Sequence, residues 1–155
     1  MKSDELLSLL GKVTGNGQAL EYASCLVLGK SLGISEDTIA VRVGQRLPMN
    51  GRLDLIGELV RVGESPMDPT RVREWVSLAK AASDNRNTIV HSAWLGDPTT
   101  DEFGGALTKK GTHEPEWGEA RLQDAIVHLR KAIDGAVALL REGDPTRTVL
   151  IQRAP

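Results

Sequence analysis

Leu6, Leu7, Leu9, Leu10 and Val13 recur at helical spacing over residues 4 to 13, behind Ser3 or Asp4 as N-cap. Gly11, Gly15 and Gly17 follow, and their backbone freedom predicts a bend or break. From Gln18 to Leu32, the residues Leu20, Ala23, Val27 and Ser31 fall on one helical face, with Gly33 as its stop. Residues 34 to 49 are less regular. Ser35 and Thr38 suit the opening of a short helix, and Pro48 belongs near the start of the next element or in a loop. Leu53, Ile56, Leu59 and Val60 make another stripe ending at Gly63, with Pro66 and Pro69 in the connection.

The longest uninterrupted helical pattern runs from Pro69 to Leu95, with Asp68 as N-cap and Pro69 in the first turn. Val72, Trp75, Val76, Ala79, Ala82, Ser83, Val90 and Ala93 share its apolar stripe, and Gly96-Asp97-Pro98 ends it. Residues 98 to 118 have no helical period, and Gly105 to Thr112 is a weak candidate for a small hairpin. Leu122, Ala125, Ile126, Leu129, Ile133, Ala136, Val137 and Leu140 form the cleanest amphipathic helix, stopped by Gly143 and Pro145. The pattern predicts an all-α, up-and-down bundle of four to five helices. A loop or small β-hairpin insert (98 to 118) precedes the last long helix. The whole chain, 1 to 155, reads as one domain: a core from about 4 to 142 and a tail, 144 to 155, that is a short docked strand or loose.

Composition sharpens this picture. Aromatic residues are only 3%, so Leu, Val, Ile and Ala must build the core, which favours helices over sheets. The net charge is −2 and the pI about 5.9, so any grip on nucleic acid must be local. A single cysteine, Cys25, excludes an internal disulfide and a Cys-rich zinc site, and points to a reducing compartment. The charged N-terminus lacks the pattern of a signal peptide and no apolar run is long enough to span a bilayer, so a cytoplasmic protein without membrane contact is expected.

Candidate chemistry concentrates in one segment. Arg86 falls at the centre of the apolar stripe, flanked by Ala82, Ser83 and Val90. A guanidinium keeps its charge, so burial demands a carboxylate, an interface or a bound anion. Glu21 is a possible partner, although a solvated helix face is its plainer reading. Asn87 and His91, four residues apart, share the polar edge of the same stripe, along which Ser83 and Trp94 also lie. A cation, an amide and an imidazole in this arrangement suit phosphodiester cleavage without metal. The imidazole moves a proton, the guanidinium holds the phosphate, and the amide orients either. One histidine cannot easily be both acid and base at once, so a second copy of the motif from a dimer partner would help. The plain alternative is a buried ion pair that sets helix register.

The run Arg86-Asn87-Thr88-Ile89-Val90-His91 resembles the Arg–polar–x3–His motif of the HEPN superfamily of small helical bundles. The following Ser92-Ala93-Trp94 extends the likeness. The resemblance implies a metal-independent endoribonuclease, commonly a homodimer with two motifs facing each other, often a toxin or a component of phage defence. It makes Arg86 and His91 the catalytic pair and Asn87 the assisting residue, with no cofactor and no metal. Cleavage by the ribose 2′-hydroxyl would leave a 2′,3′-cyclic phosphate and a 5′-hydroxyl. Other members have lost activity, which gives the alternative of a non-catalytic interaction or nucleotide-binding module in a toxin–antitoxin or defence complex, with an antitoxin or other protein as partner.

Ser83, Lys109 and Lys110 are further candidates for substrate contact, although two loop lysines are usually a solvated tip. His113 and His128 read as exposed, and no metal-ligand spacing is present. Trp75, Trp94 and Trp117 read as core or interface anchors, and Cys25 as a buried apolar residue.

Overall fold

Residues 1 to 152 and Ala154 are described by a computed structural model. Among them the chain forms α1 (Ser3–Ser31), α2 (Asp37–Gly44), α3 (Met49–Arg61), α4 (Pro69–Val90) and α5 (Glu119–Leu140). Between α4 and α5 lie β1 (Ala93–Asp97), β2 (Glu102–Leu107) and β3 (His113–Glu114). One buried apolar cluster draws on all five helices. Helix α1 packs against each of the others, and α4 packs against α3 and α5.

The expected stripes account for most of this packing. Leu122, Ala125, Ile126, Leu129, Ile133, Ala136 and Leu140 of α5 are buried, as are Val72, Trp75, Ala79 and Ala82 of α4. The Asp68 carboxylate caps α4 by accepting the Arg71 N–H at 2.8 Å, with Pro69 in the first turn. Gly33, Gly63 and Gly143 stand just past helix ends with positive φ, where glycine avoids the Cβ clash.

Three features differ from the sequence expectation. First, α1 runs unbroken through Gly11, Gly15 and Gly17. It begins at Ser3 with Lys2 as N-cap, where Glu5 accepts the Lys2 N–H at 3.0 Å. Two of its glycines are sites of close approach instead of breaks. A Cβ on Gly15 would lie 2.8 Å from the Ala154 Cβ, and one on Gly17 would lie 2.7 Å from the Arg86 Nε. Each glycine weakens a helix by about 1 kcal/mol, which packing across a 29-residue helix offsets.

Second, the fold is not all-α. The segment after α4 makes a three-stranded antiparallel sheet, ordered β1-β2-β3. Trp94 pairs with Ala106 and Asp97 with Glu102, with a bulge between Trp94 and Gly96. The weakly signalled hairpin does form: Ala106 pairs with Glu114 and Leu107 with His113. Third, α4 therefore stops at Val90 and not near Leu95, with His91 as its C-cap (φ −96°, ψ 9°). Backbone pairing with β2 takes Ala93 and Trp94 out of the helical stripe, and Ile89 is buried where Val90 was expected. Met1 extends this pairing, since the Phe103 N–H donates to its carbonyl at 2.8 Å.

Of the two alternatives for the tail, the docked strand does not form among the described residues. Val149 and Ile151 pack against the core while Leu150 is 81% exposed. Among the described residues no helix is long and apolar enough to cross a membrane.

Candidate functional site

Arg86 leaves the last turns of α4 toward α1, because its helical position is the one from which Ala79, Ala82 and Ser83 are also buried. Gly17, lacking a side chain, makes room for it. The guanidinium side chain is 18% exposed, and its Nη1 lies 3.8 Å from the Glu21 Oε1. The same carboxylate reaches a second cation, with its Oε2 4.0 Å from the Arg52 Nη2. Glu21 is thus the counter-ion the Arg86 position demanded, shared between two arginines.

Arg86 also donates from Nη1 to the Asn87 Oδ1 at 2.8 Å. Because guanidinium offers only donors, this bond assigns the amide orientation and leaves the Asn87 Nδ2 hydrogens for solvent or a ligand. Asn87 is exposed, and one turn further His91 ends the helix, also exposed.

Asn87 and His91 line one wall of an open groove of about 580 Å³. The β2–β3 hairpin supplies the other wall with Thr108, Lys109, Lys110 and Glu114, and Trp117 closes the end. The turn is tight: Thr108 and Thr112 are joined through the Thr108 N–H to the Thr112 carbonyl at 2.9 Å, with Gly111 at φ +79°. It carries both lysines over the end of α4. Among the described residues neither lysine, nor Glu114, nor the His91 imidazole has an ion pair or a side-chain hydrogen bond. Trp117 stacks at a tilt on Trp94, with ring centroids 6.0 Å apart, and the Arg121 guanidinium stands 5.2 Å above its ring.

The structure therefore gathers Asn87, His91, Lys109 and Lys110 in one groove, with Arg86 reaching it through Asn87. Ser83 is set apart from them. It is buried among the packed faces of α4, is absent from the groove lining, and offers no surface to a substrate. His113 and His128 are exposed away from the groove. Trp75 is a core anchor, its Nε1 donating to the Ala132 carbonyl at 2.8 Å.

Among known proteins, the chain matches no family model, no curated protein and no solved structure.

Two further parts of the geometry were not read from the sequence as belonging to a site. Glu114 and Trp117 enter the groove only because β3 folds back on β2. Arg52, 4% exposed, donates to the Cys25 Sγ at 3.2 Å and the Gly44 carbonyl at 3.2 Å, and its Nε has no partner among the described residues. A signal for it existed: Arg52, Ile56 and Val60 repeat at four-residue spacing on one face of α3. Burial pushes the Cys25 thiol above its ordinary value, and the neighbouring Arg52 charge offsets only part of this. Among the described residues no three His, Cys, Asp or Glu side chains gather in a way that could hold a metal ion. A second depression of similar size, about 560 Å³, runs between α1 and the tail past Gly15, Gln18, Tyr22 and Ile151. Its described lining offers no histidine, cation or carboxylate.

Proposed function

We propose that this chain is a HEPN-like, metal-independent endoribonuclease that cleaves RNA by attack of the ribose 2′-hydroxyl. The observation that carries the reading is the single groove in which Asn87 and His91, at the end of α4, face Lys109 and Lys110 from the hairpin. The lysines and the Asn87 amide suit phosphate oxygens, and the imidazole suits proton transfer to the leaving oxygen. Arg86 acts through Asn87, whose amide its hydrogen bond fixes. A homodimer, with RNA as substrate and a toxin or phage-defence role, belongs to the same proposal, as does a cytoplasmic site of action.

The test is incubation of the purified chain with mixed tRNA and mRNA in EDTA, mapping product ends. Cyclic phosphate and 5′-hydroxyl ends are expected, and intact RNA across several substrates overturns the nuclease reading.

Gly17 gives a sharper test of Arg86. A methyl group there would lie 2.7 Å from the Arg86 Nε and 3.1 Å from its Cγ, so the side chain must move off its seat. Losing a charge-assisted hydrogen bond of about 1.5–3 kcal/mol should slow cleavage by Gly17→Ala about tenfold or more. Helix propensity favours alanine, so α1 should persist. Initial rates beside a circular-dichroism melt check this, and an unchanged rate would remove Arg86 from the site.

A second reading rests on the direction of Arg86, which faces Glu21 on α1 and not the groove. Under it the fold is a non-catalytic interaction or nucleotide-binding module of a toxin–antitoxin or defence complex, with an antitoxin or other protein seated on the groove. Nucleotide or protein binding without any RNA cleavage would favour it.

A further inference from the structure

Cleavage by 2′-hydroxyl attack needs a base for the hydroxyl and an acid for the leaving oxygen, and His91 alone cannot serve both in one step. The groove contains a second group able to take a proton. Glu114 lies in the same lining as His91, Lys109 and Lys110. Strand geometry explains why this residue, and not its neighbour, enters. Successive side chains of a strand point to opposite faces, so His113 is exposed while Glu114 is half-buried in the groove.

The backbone at Glu114 is held from three sides. It pairs with Ala106, and its carbonyl accepts the Trp117 N–H at 3.3 Å. That carbonyl also crowds Gly105 (φ +84°), where a Cβ would stand 3.0 Å away. The carboxylate itself has no cation bound among the described residues. A fixed strand that presents an unspent carboxylate to the same groove as an unspent imidazole can supply both halves of an acid–base pair.

We propose that Glu114 is the general base and His91 the general acid of one active site contained within a single chain. This rests on the ribonuclease reading above. As the 2′-oxygen–phosphorus bond forms, the 2′-hydroxyl proton passes to the Glu114 carboxylate. The phosphorus–5′-oxygen bond breaks, and that oxygen takes the proton of the His91 imidazolium. The products are a 2′,3′-cyclic phosphate and a 5′-hydroxyl, and exchange with water returns both groups to their starting forms. Lys109 and Lys110 offset the repulsion between carboxylate and phosphate. The titratable and charged groups that line the groove with Glu114 are these two lysines from the turn and His91 from α4, with Arg121 of α5 over the Trp117 ring. Helix α1 contributes none to the groove.

The experiment compares wild type, Glu114→Gln and His91→Ala over a range of pH, with folding checked by circular dichroism. A base must be deprotonated and an acid protonated, so the wild-type rate should rise on the acid side and fall on the alkaline side. Glu114→Gln, nearly isosteric, should lower kcat by about 10²-fold or more and abolish the acid limb. A substrate whose 5′-bridging oxygen is replaced by sulfur needs no acid, so it should restore His91→Ala and not Glu114→Gln. Mixing the two variants should recover nothing, since neither chain holds an intact pair. An acid limb unchanged in an active Glu114→Gln protein overturns the assignment of Glu114, and recovery on mixing overturns the placing of the pair within a single chain. An inactive wild type overturns the ribonuclease reading and this proposal with it.

Discussion

Replacing His91 with alanine should lower RNA cleavage by about 10²–10⁴-fold, the usual contribution of a positioned proton donor. Stability should change by no more than about 0.5 kcal/mol, as for an exposed site away from packed features. The structure explains the separation of the two effects. His91 is the C-cap of α4, and its negative φ puts no special demand on the side chain that alanine would fail to meet. Its N–H donates to the Asn87 carbonyl at 3.1 Å, a contact alanine keeps. Its imidazole carries no hydrogen bond among the described residues. Parallel initial rates in EDTA and thermal melts measure both quantities. Cleavage retained by a folded His91→Ala protein would remove the residue from the mechanism, whatever its place in the groove.

Trp75→Ala should produce the opposite pattern, a large loss of stability from a site remote from the groove. Trp75 carries the contact of α4 with α5. Its ring is 4% exposed, its Nε1 donates to the Ala132 carbonyl at 2.8 Å, and its Cδ1 lies against Gly135. A Cβ at Gly135 would meet that atom at 2.8 Å, so the glycine is the notch into which the ring fits. Removing the indole leaves a cavity that a two-helix contact cannot close, at a cost of about 3–5 kcal/mol. For a chain of this size that is a fall in Tm of about 6–20 °C. Urea or thermal unfolding checks it, and a fall of only a few degrees would show that α4 and α5 repack around the gap.

Much of the helical frame is legible in the pattern of apolar residues, since a face that recurs every three or four positions can be buried in only one way. The α5 stripe from Leu122 to Leu140 and the Asp68–Pro69 start of α4 are local signals read by local rules. The glycines of α1 misled for an instructive reason. Gly15 and Gly17 look like breaks when helix propensity is the only consideration, but each admits a distant group, Ala154 or Arg86, that sequence spacing cannot reveal. The end of α4 is a similar case. Ala93 and Trp94 continue a helical stripe, yet their backbone groups bond instead to a strand ten or more residues away.

The candidate site divides along the same line. Arg86, Asn87 and His91 stand out in the sequence because a permanent cation on an apolar stripe, next to an amide and an imidazole one turn apart, needs a reason. The residues that complete the groove have a weaker signal: Lys109 and Lys110 are candidates only as a pair of loop cations, and Glu114 and Trp117 sit in a Gly- and Pro-rich segment with nothing to tie them to the motif. The sequence by itself determined five helical stripes and the opening of a short helix, a helix carrying the Arg–Asn–His motif, and a buried charge in need of a counter-ion. The tertiary structure decided that Glu21 is that counter-ion, that α4 stops at His91, and that the hairpin brings its lysines and Glu114 over the helix end. The reason is physical. Helical periodicity depends on neighbours three and four residues away, whereas strand pairing, shared carboxylates and grooves depend on groups far apart in the chain, which only packing brings together.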